Sequence, residues 1–187
     1  VSNGIYVSSL KYAAEFDHDA LVAGIARTYS QRGIAVRSEP TLPGGKRADL
    51  AVVMDNNWTY IEVKTRSNGT LKGRRRPSLR QDFLREILRL RAHSLKQLPR
   101  KESSLMVLAT SASPDRRKAI NKIAMARSFA SRIFGHDSDK VLGLMIFAPF
   151  RNPNRSYKAW KYASTLIPNP NWKANGESYE KLAGVQL

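Results

Sequence analysis

Apolar side chains recur at helical spacing from residue 17 to about 31, where Leu21, Ile25 and Tyr29 fall four apart. Asp17 or Asp19 can cap that helix, and Gly33 stands where its end wants a left-handed residue. The period then changes. Residues 34–38 alternate as a strand, 40–46 are rich in turn formers, and 48–54 and 59–64 read as two strands. Asp55-Asn56-Asn57-Trp58 joins them as a hairpin, with Asn56-Asn57 as the turn centre. Beyond a basic loop at 68–77, Ser78 opens a helix to about Leu98, with Leu79, Phe83, Ile87, Leu90 and Leu98 on one face. Residues 105–109 form a short apolar run expected as a buried strand. Ser113-Pro114 supplies an N-cap and a first-turn proline for a helix ending near Phe134. Residues 141–147 are a last strand, and after Pro149 the pattern decays into Asn, Pro and aromatics.

The order α-β-β-β-α-β-α-β predicts an α/β fold: a mixed sheet flanked by helices. A chain of 187 residues supports one domain with a sizeable core. We place that domain at 1–150, with 151–187 as a basic and aromatic extension packed on it.

Charge changes the picture most. Lys and Arg number 32 against 15 Asp and Glu, a formal net charge of +17. A compact body so charged repels itself unless it meets a polyanion, and nucleic acid is the default partner. No amphipathic membrane anchor stands out, and the longest apolar run, 141–150, is too short to span a bilayer. There is no signal-peptide pattern, so a cytoplasmic protein is expected, nucleoid-associated when on DNA. The absence of cysteine excludes disulfides and a Cys-based zinc site. His18, His93 and His136 lie far apart without ligand spacing.

Candidate chemistry sits in the hairpin. Side chains alternate along a strand, so Glu62 and Lys64 share a face and Val63 takes the other. With the turn centred on Asn56-Asn57, Met54 faces Thr59, Ala51 faces Glu62, and Asp49 faces Lys64, diagonal to Glu62. Directly opposed Cβ atoms lie ~5 Å apart and diagonal ones somewhat further, so the two carboxylates are within reach of a shared cation, with Lys64 beside them. Two carboxylates suit a hard divalent ion that retains water and takes a phosphate oxygen. Such an ion polarises the phosphoryl group and acidifies its water. The Val63 carbonyl can complete the coordination, and Lys64 can stabilise developing charge or move a proton. The competing reading is an ordinary surface hairpin in which Asp49 pairs with Lys64.

The string Ala48-Asp49, twelve residues, then Glu62-Val63-Lys64, resembles the PD-(D/E)XK nuclease superfamily. Ala48 stands where that family often has Pro, a chemically neutral departure. Arg32-Gly33-Ile34-Ala35-Val36-Arg37 is similar to the helix end and first strand of archaeal Holliday-junction resolvases. The resemblance implies a restriction-endonuclease-like α-β-β-β-α-β core with an added helix, strand and C-terminal extension. It implies Mg2+-dependent DNA hydrolysis, with Mn2+ as a substitute: Asp49, Glu62 and the Val63 carbonyl as ligands, Lys64 beside them. Many members add an acid from the first helix. Asp19 is the best placed here, with Asp17 and Glu15 behind it, although either aspartate can be only an N-cap. Gln81 loosely resembles the glutamine of RecB-like members, but Arg85 stands where their tyrosine should follow.

Residues 64–101 hold thirteen Lys and Arg against Asp82 and Glu86, more like charge than solubility needs. Lys46, Arg47, Arg66, Lys72, Arg74, Arg75, Arg76, Arg85, Arg89 and Lys96 are read as DNA contacts that position the phosphate backbone. In the extension, Tyr157, Trp160, Tyr162 and Trp172 lie among Arg151, Arg155, Lys158, Lys161 and Lys173. Packing onto the domain is favoured there over stacking on bases. The leading expectation is a DNA endonuclease acting on branched or otherwise structured DNA, with homodimerisation suited to paired cuts. The alternatives are a non-catalytic DNA-binding module on the same fold and an RNA-binding protein of ribosomal type.

Overall fold

The computed structural model describes residues 4–10, 16–54, 56–65, 79–99, 102–136, 139–151, 160–172 and 187. Its elements are β1 (Tyr6–Ser9), α1 (His18–Gln31), β2 (Val36–Ser38), β3 (Leu50–Met54), β4 (Asn57–Thr65), α2 (Gln81–Ser94), β5 (Ser103–Ala109), α3 (Arg116–Ser128), α4 (Ala130–Ile133), β6 (Val141–Arg151) and β7 (Trp160–Pro168). Seven strands form one mixed sheet in the order β1-β7-β6-β5-β4-β3-β2. The neighbours β4-β5 and β5-β6 are parallel, and the other pairs antiparallel. The protein is thus an α/β fold with helices on both faces of the sheet. No helix among the described residues is long and apolar enough to cross a membrane.

Strand alternation divides the core in two. On one face, Leu21, Ile25 and Tyr29 of α1 pack against Leu50, Val52, Ile61 and Val63. On the other, Leu84 and Leu88 of α2 and Ala119 and Ile123 of α3 pack against Ala51, Tyr60, Met106 and Leu108. Parallel β5 is buried at every position, as a strand covered on both sides must be.

Several expectations are corrected. The hairpin turn is shorter than the sequence suggested: Asn56 takes a left-handed conformation (φ 61°), and Met54 pairs with Asn57. The register therefore runs Leu50↔Ile61 and Ala51↔Tyr60, two residues away from the expected pairing. An even shift leaves every side chain on its original face. The second long helix starts at Gln81 and ends at Ser94, not at 78 and 98, and Leu90 is 56% exposed. Its buried stripe is Leu84, Leu88, Arg91 and Ala92. Ser113 does not cap α3. Asp115 does, accepting from the Lys118 N–H at 2.8 Å, and Ser113 instead bridges to Phe150.

Two strands went unread in the sequence. β7 pairs along the whole of β6 from Gly143 to Arg151, and β1 closes on β7. Two of the extension aromatics pack inward: Trp160 and Tyr162 are buried among Phe16 and Phe147. Arg151 lies 4.8 Å over the Trp160 ring. Tyr157, Arg155, Lys158 and Lys173 fall outside the described residues.

Candidate active site

Asp49 directly precedes β3, and continuing the observed register sets it opposite Glu62, with Lys64 on the diagonal. The expected pairing of Asp49 with Lys64 is thereby replaced by Asp49 with Glu62. All three remain on the α2 side of the sheet, because Val63 is buried against α1 on the other.

Each carboxylate has its own partners. Asp49 is three-quarters buried. Its Oδ2 accepts the Val63 backbone N–H at 2.6 Å, a bond that ties the start of β3 to the heart of β4. Its Oδ1 lies 3.2 Å from His18 Nε2. Glu62, 16% exposed, meets Lys64 Nζ at 2.5 Å through Oε1 and Arg91 Nη1 at 3.7 Å through Oε2. The surface-hairpin alternative, an Asp49–Lys64 pair, is not what forms; the lysine goes to Glu62.

His18 and Arg91 are the residues the sequence reading passed over. Asp17 caps α1 by accepting the Ala20 N–H at 2.9 Å, which fixes His18 as the first helical residue. The imidazole then spans from Asp49 to Asp19, whose Oδ1 is 3.0 Å from Nδ1. Asp19 itself is 95% exposed and reaches Asp49 only through His18. Of the three acids considered on the first helix, Asp17 is thus the cap, Asp19 an outer partner of the histidine, and Glu15 lies outside the described residues. Nothing in sequence spacing marks His18.

Arg91 did leave a signal. It lies seven residues after Leu84 and three after Leu88, an arginine on an apolar helix stripe. It is 8% exposed, and Nε donates to Ser104 Oγ on β5 at 2.9 Å. Nη2 is buried and has no hydrogen-bond partner among the described residues. Burial pulls its pKa below the ordinary arginine value, while Glu62 and then Asp49 pull it back up. Arginine starts so high that it stays cationic at neutral pH.

The other basic residues are spread out. Lys46 and Arg47 lie on the loop before β3 and, with Glu62, Lys64 and Arg91, line a pocket beside the site. Arg47 also approaches Glu39 at 4.0 Å. Arg85 and Arg89 sit about 120° and 160° around α2 from Arg91 at ~100° per residue, and Lys96 lies beyond the end of that helix. Arg85 donates to the Arg132 carbonyl and Arg89 to Glu86. The structure therefore brings Lys46 and Arg47 to the carboxylates and leaves those three away from them. Arg66, Lys72, Arg74, Arg75 and Arg76 lie outside the described residues.

By donor type, Asp49, Glu62 and the Val63 carbonyl suit Mg2+, and the His18 imidazole suits Mn2+ as well. The carboxylates are held by Lys64, Arg91, the Val63 N–H and His18, and the described residues contain no ready cluster of three His, Asp or Glu side chains. A divalent ion would enter by competing with the Lys64–Glu62 pair.

No family model and no curated protein sequence matches the chain. Among solved structures, it is similar to Pyrococcus furiosus SfsA in complex with Ca2+, at 16% identity and a TM-score of 0.35. The match covers 77% of this chain and 60% of the SfsA chain, so it spans less than two thirds of that protein. At that distance, any functional reading has to rest on the site itself.

Proposed function

We propose that the protein is a metal-dependent DNA endonuclease with a restriction-endonuclease-like core formed by α1, β2, β3, β4, α2 and β5. The observation that carries this reading is the gathering of Asp49, Glu62 and Lys64 on one face of adjacent strands. The net charge of +17 supports DNA as the partner.

In this reading Asp49, Glu62 and the Val63 carbonyl would hold Mg2+ or Mn2+, with His18 positioning Asp49 from α1. When bound, the metal supplies charge stabilisation at the phosphoryl group and a more acidic water. The chain's own residues do the remainder. The Val63 N–H orients Asp49 by holding one of its oxygens. Lys64, released from Glu62, offers a cation to the phosphate oxygen on which charge develops. Lys46 and Arg47 contact the flanking phosphates, which positions the strand without reading its bases. Cytoplasmic location and homodimerisation belong to the same proposal.

The test is nicking of supercoiled plasmid with Mg2+ or Mn2+ by wild type, Asp49→Ala and Glu62→Gln. Both variants are expected to lose activity by more than about a hundredfold. Equal nicking by wild type and Asp49→Ala would sink the reading.

One observation favours a second reading, a non-catalytic DNA-binding module: Glu62 is already paired with two cations. That module would bind DNA with steep salt dependence and hydrolyse it under no metal.

A further inference from the structure

The α2 flank of the site opens into a pocket of about 400 Å3, within the usual size of small-ligand clefts, ~300–1,000 Å3. Its lining is of two kinds. Lys46, Arg47, Lys64 and Arg91 supply four cations against the single carboxylate of Glu62. Leu42, Phe83, Ile87 and Leu90 supply an apolar wall, three of them from the same helix as Arg91. Leu90 is 56% exposed and Phe83 and Ile87 are only partly buried, so the wall is open to an occupant.

Arg91 is the second observation. It is a cation more than nine-tenths buried, it lines the pocket, and its Nη2 lacks a hydrogen-bond partner among the described residues. A buried guanidinium is costly unless its donors are met. Its one carboxylate, 3.7 Å away, is shared with Lys64. An anion in the pocket would balance the excess of positive charge that Arg91 and its neighbours place there, and the apolar wall asks for a flat, poorly hydrated body attached to the anion.

A nucleotide has both parts. We propose that the pocket receives one unpaired nucleotide of the bound DNA strand, its base against Phe83, Ile87 and Leu90 and its phosphate against the Arg91 and Lys64 side. This rests on the DNA reading above and sharpens it. Because Glu62 and Lys64 border both pocket and metal site, the extruded nucleotide adjoins the phosphodiester to be cut. The preferred substrate is then DNA with a nucleotide free to leave its stack, for which unstacking costs least.

The experiment is fluorescence anisotropy in EDTA, which needs no hydrolysis. The full chain is titrated into a matched duplex, the same duplex with one unpaired adenine, and a third with an abasic unpaired residue. Wild type is expected to bind the unpaired-adenine duplex about tenfold tighter than the other two, in line with the worth of a base–wall contact. Leu90→Gln, an exposed position where folding is safe, and Phe83→Ala are expected to bring that ratio towards one. Equal wild-type affinity for all three duplexes overturns the proposal. So does a preference that survives the abasic substitution, which reports easier bending, or one that survives both pocket variants. Plasmid nicking in Mg2+ reports separately on the nuclease reading: nicking without adenine preference refutes the pocket alone, and adenine preference without nicking refutes hydrolysis alone.

Discussion

At the scale of single residues, what the sequence disclosed and what it hid follow from one rule. Alternation along a strand is local, so the shared face of Glu62 and Lys64, and Val63 behind them, could be read directly. Contacts between elements are not local. His18 reaches Asp49 because Asp17 fixes where α1 begins, and Arg91 reaches Glu62 because α2 lies across β4 and β5. Asp17 and Asp19, alike in sequence, are expected to separate in measurement. Asp17→Ala should lose about 1 kcal/mol in urea unfolding for want of its cap, and Asp19→Ala should stay within about 0.5 kcal/mol. His18→Ala should reduce metal-dependent nicking about tenfold or more, by freeing or losing a partner of Asp49. Nicking at the wild-type rate would remove His18 from the site.

At the scale of elements, long periodic segments were legible and short or interrupted ones were not. α1, β3, β4, β5 and β6 appear where their patterns place them, with ends moved by a few residues. β7 carries apolar residues on both faces between Asn- and Pro-rich stretches, so it shows no alternation. β1, Tyr-Val-Ser-Ser, has too little apolar content to announce itself. The hairpin register was missed by two because it turns on a single backbone conformation at Asn56. That residue is testable: Asn56→Ala should cost about 1 kcal/mol, since an alanine pays a steric penalty at φ 61°. Gly143 on β6 is a second control point. A Cβ there would stand 2.7 Å from the Ile167 carbonyl on β7, so Gly143→Ala should cost about 1–3 kcal/mol. Thermal unfolding of both variants checks these values.

At the scale of the whole molecule, two conditions should reveal the charge and the core. DNA affinity should fall linearly on a log–log plot against salt, with a slope of about −0.9 for each phosphate contacted. A flat dependence would argue against phosphate-driven binding. The core makes its own statement at high pH. Burial raises the pKa values of Tyr29 and Tyr162 above the ordinary tyrosine value of 10.0. A raised pKa favours the protonated form in the folded state, so this stability is whole below about pH 10, where the unfolded tyrosine keeps its proton. It is lost as the pH climbs towards the folded-state values. Tyr29→Phe should delay alkaline unfolding, read by circular dichroism.

The order of the sheet also bears on how the chain is made. Among the described strands β1 is made before all the others and its strand partner β7 after them, and the two meet through pairs such as Tyr6↔Ser164. Until β7 emerges from the ribosome, β1 has nothing to pair with, and the long apolar β6 presents a bare edge. Such an edge is a template for pairing with another nascent chain. The hairpin that carries Asp49 and Glu62 can form early from neighbouring sequence, while the opposite border of the sheet waits for residues 160–168. A released chain cut short before residue 160 would therefore carry the Asp49–Glu62 hairpin beside an unpaired β6 edge, the state in which a chaperone has most to do.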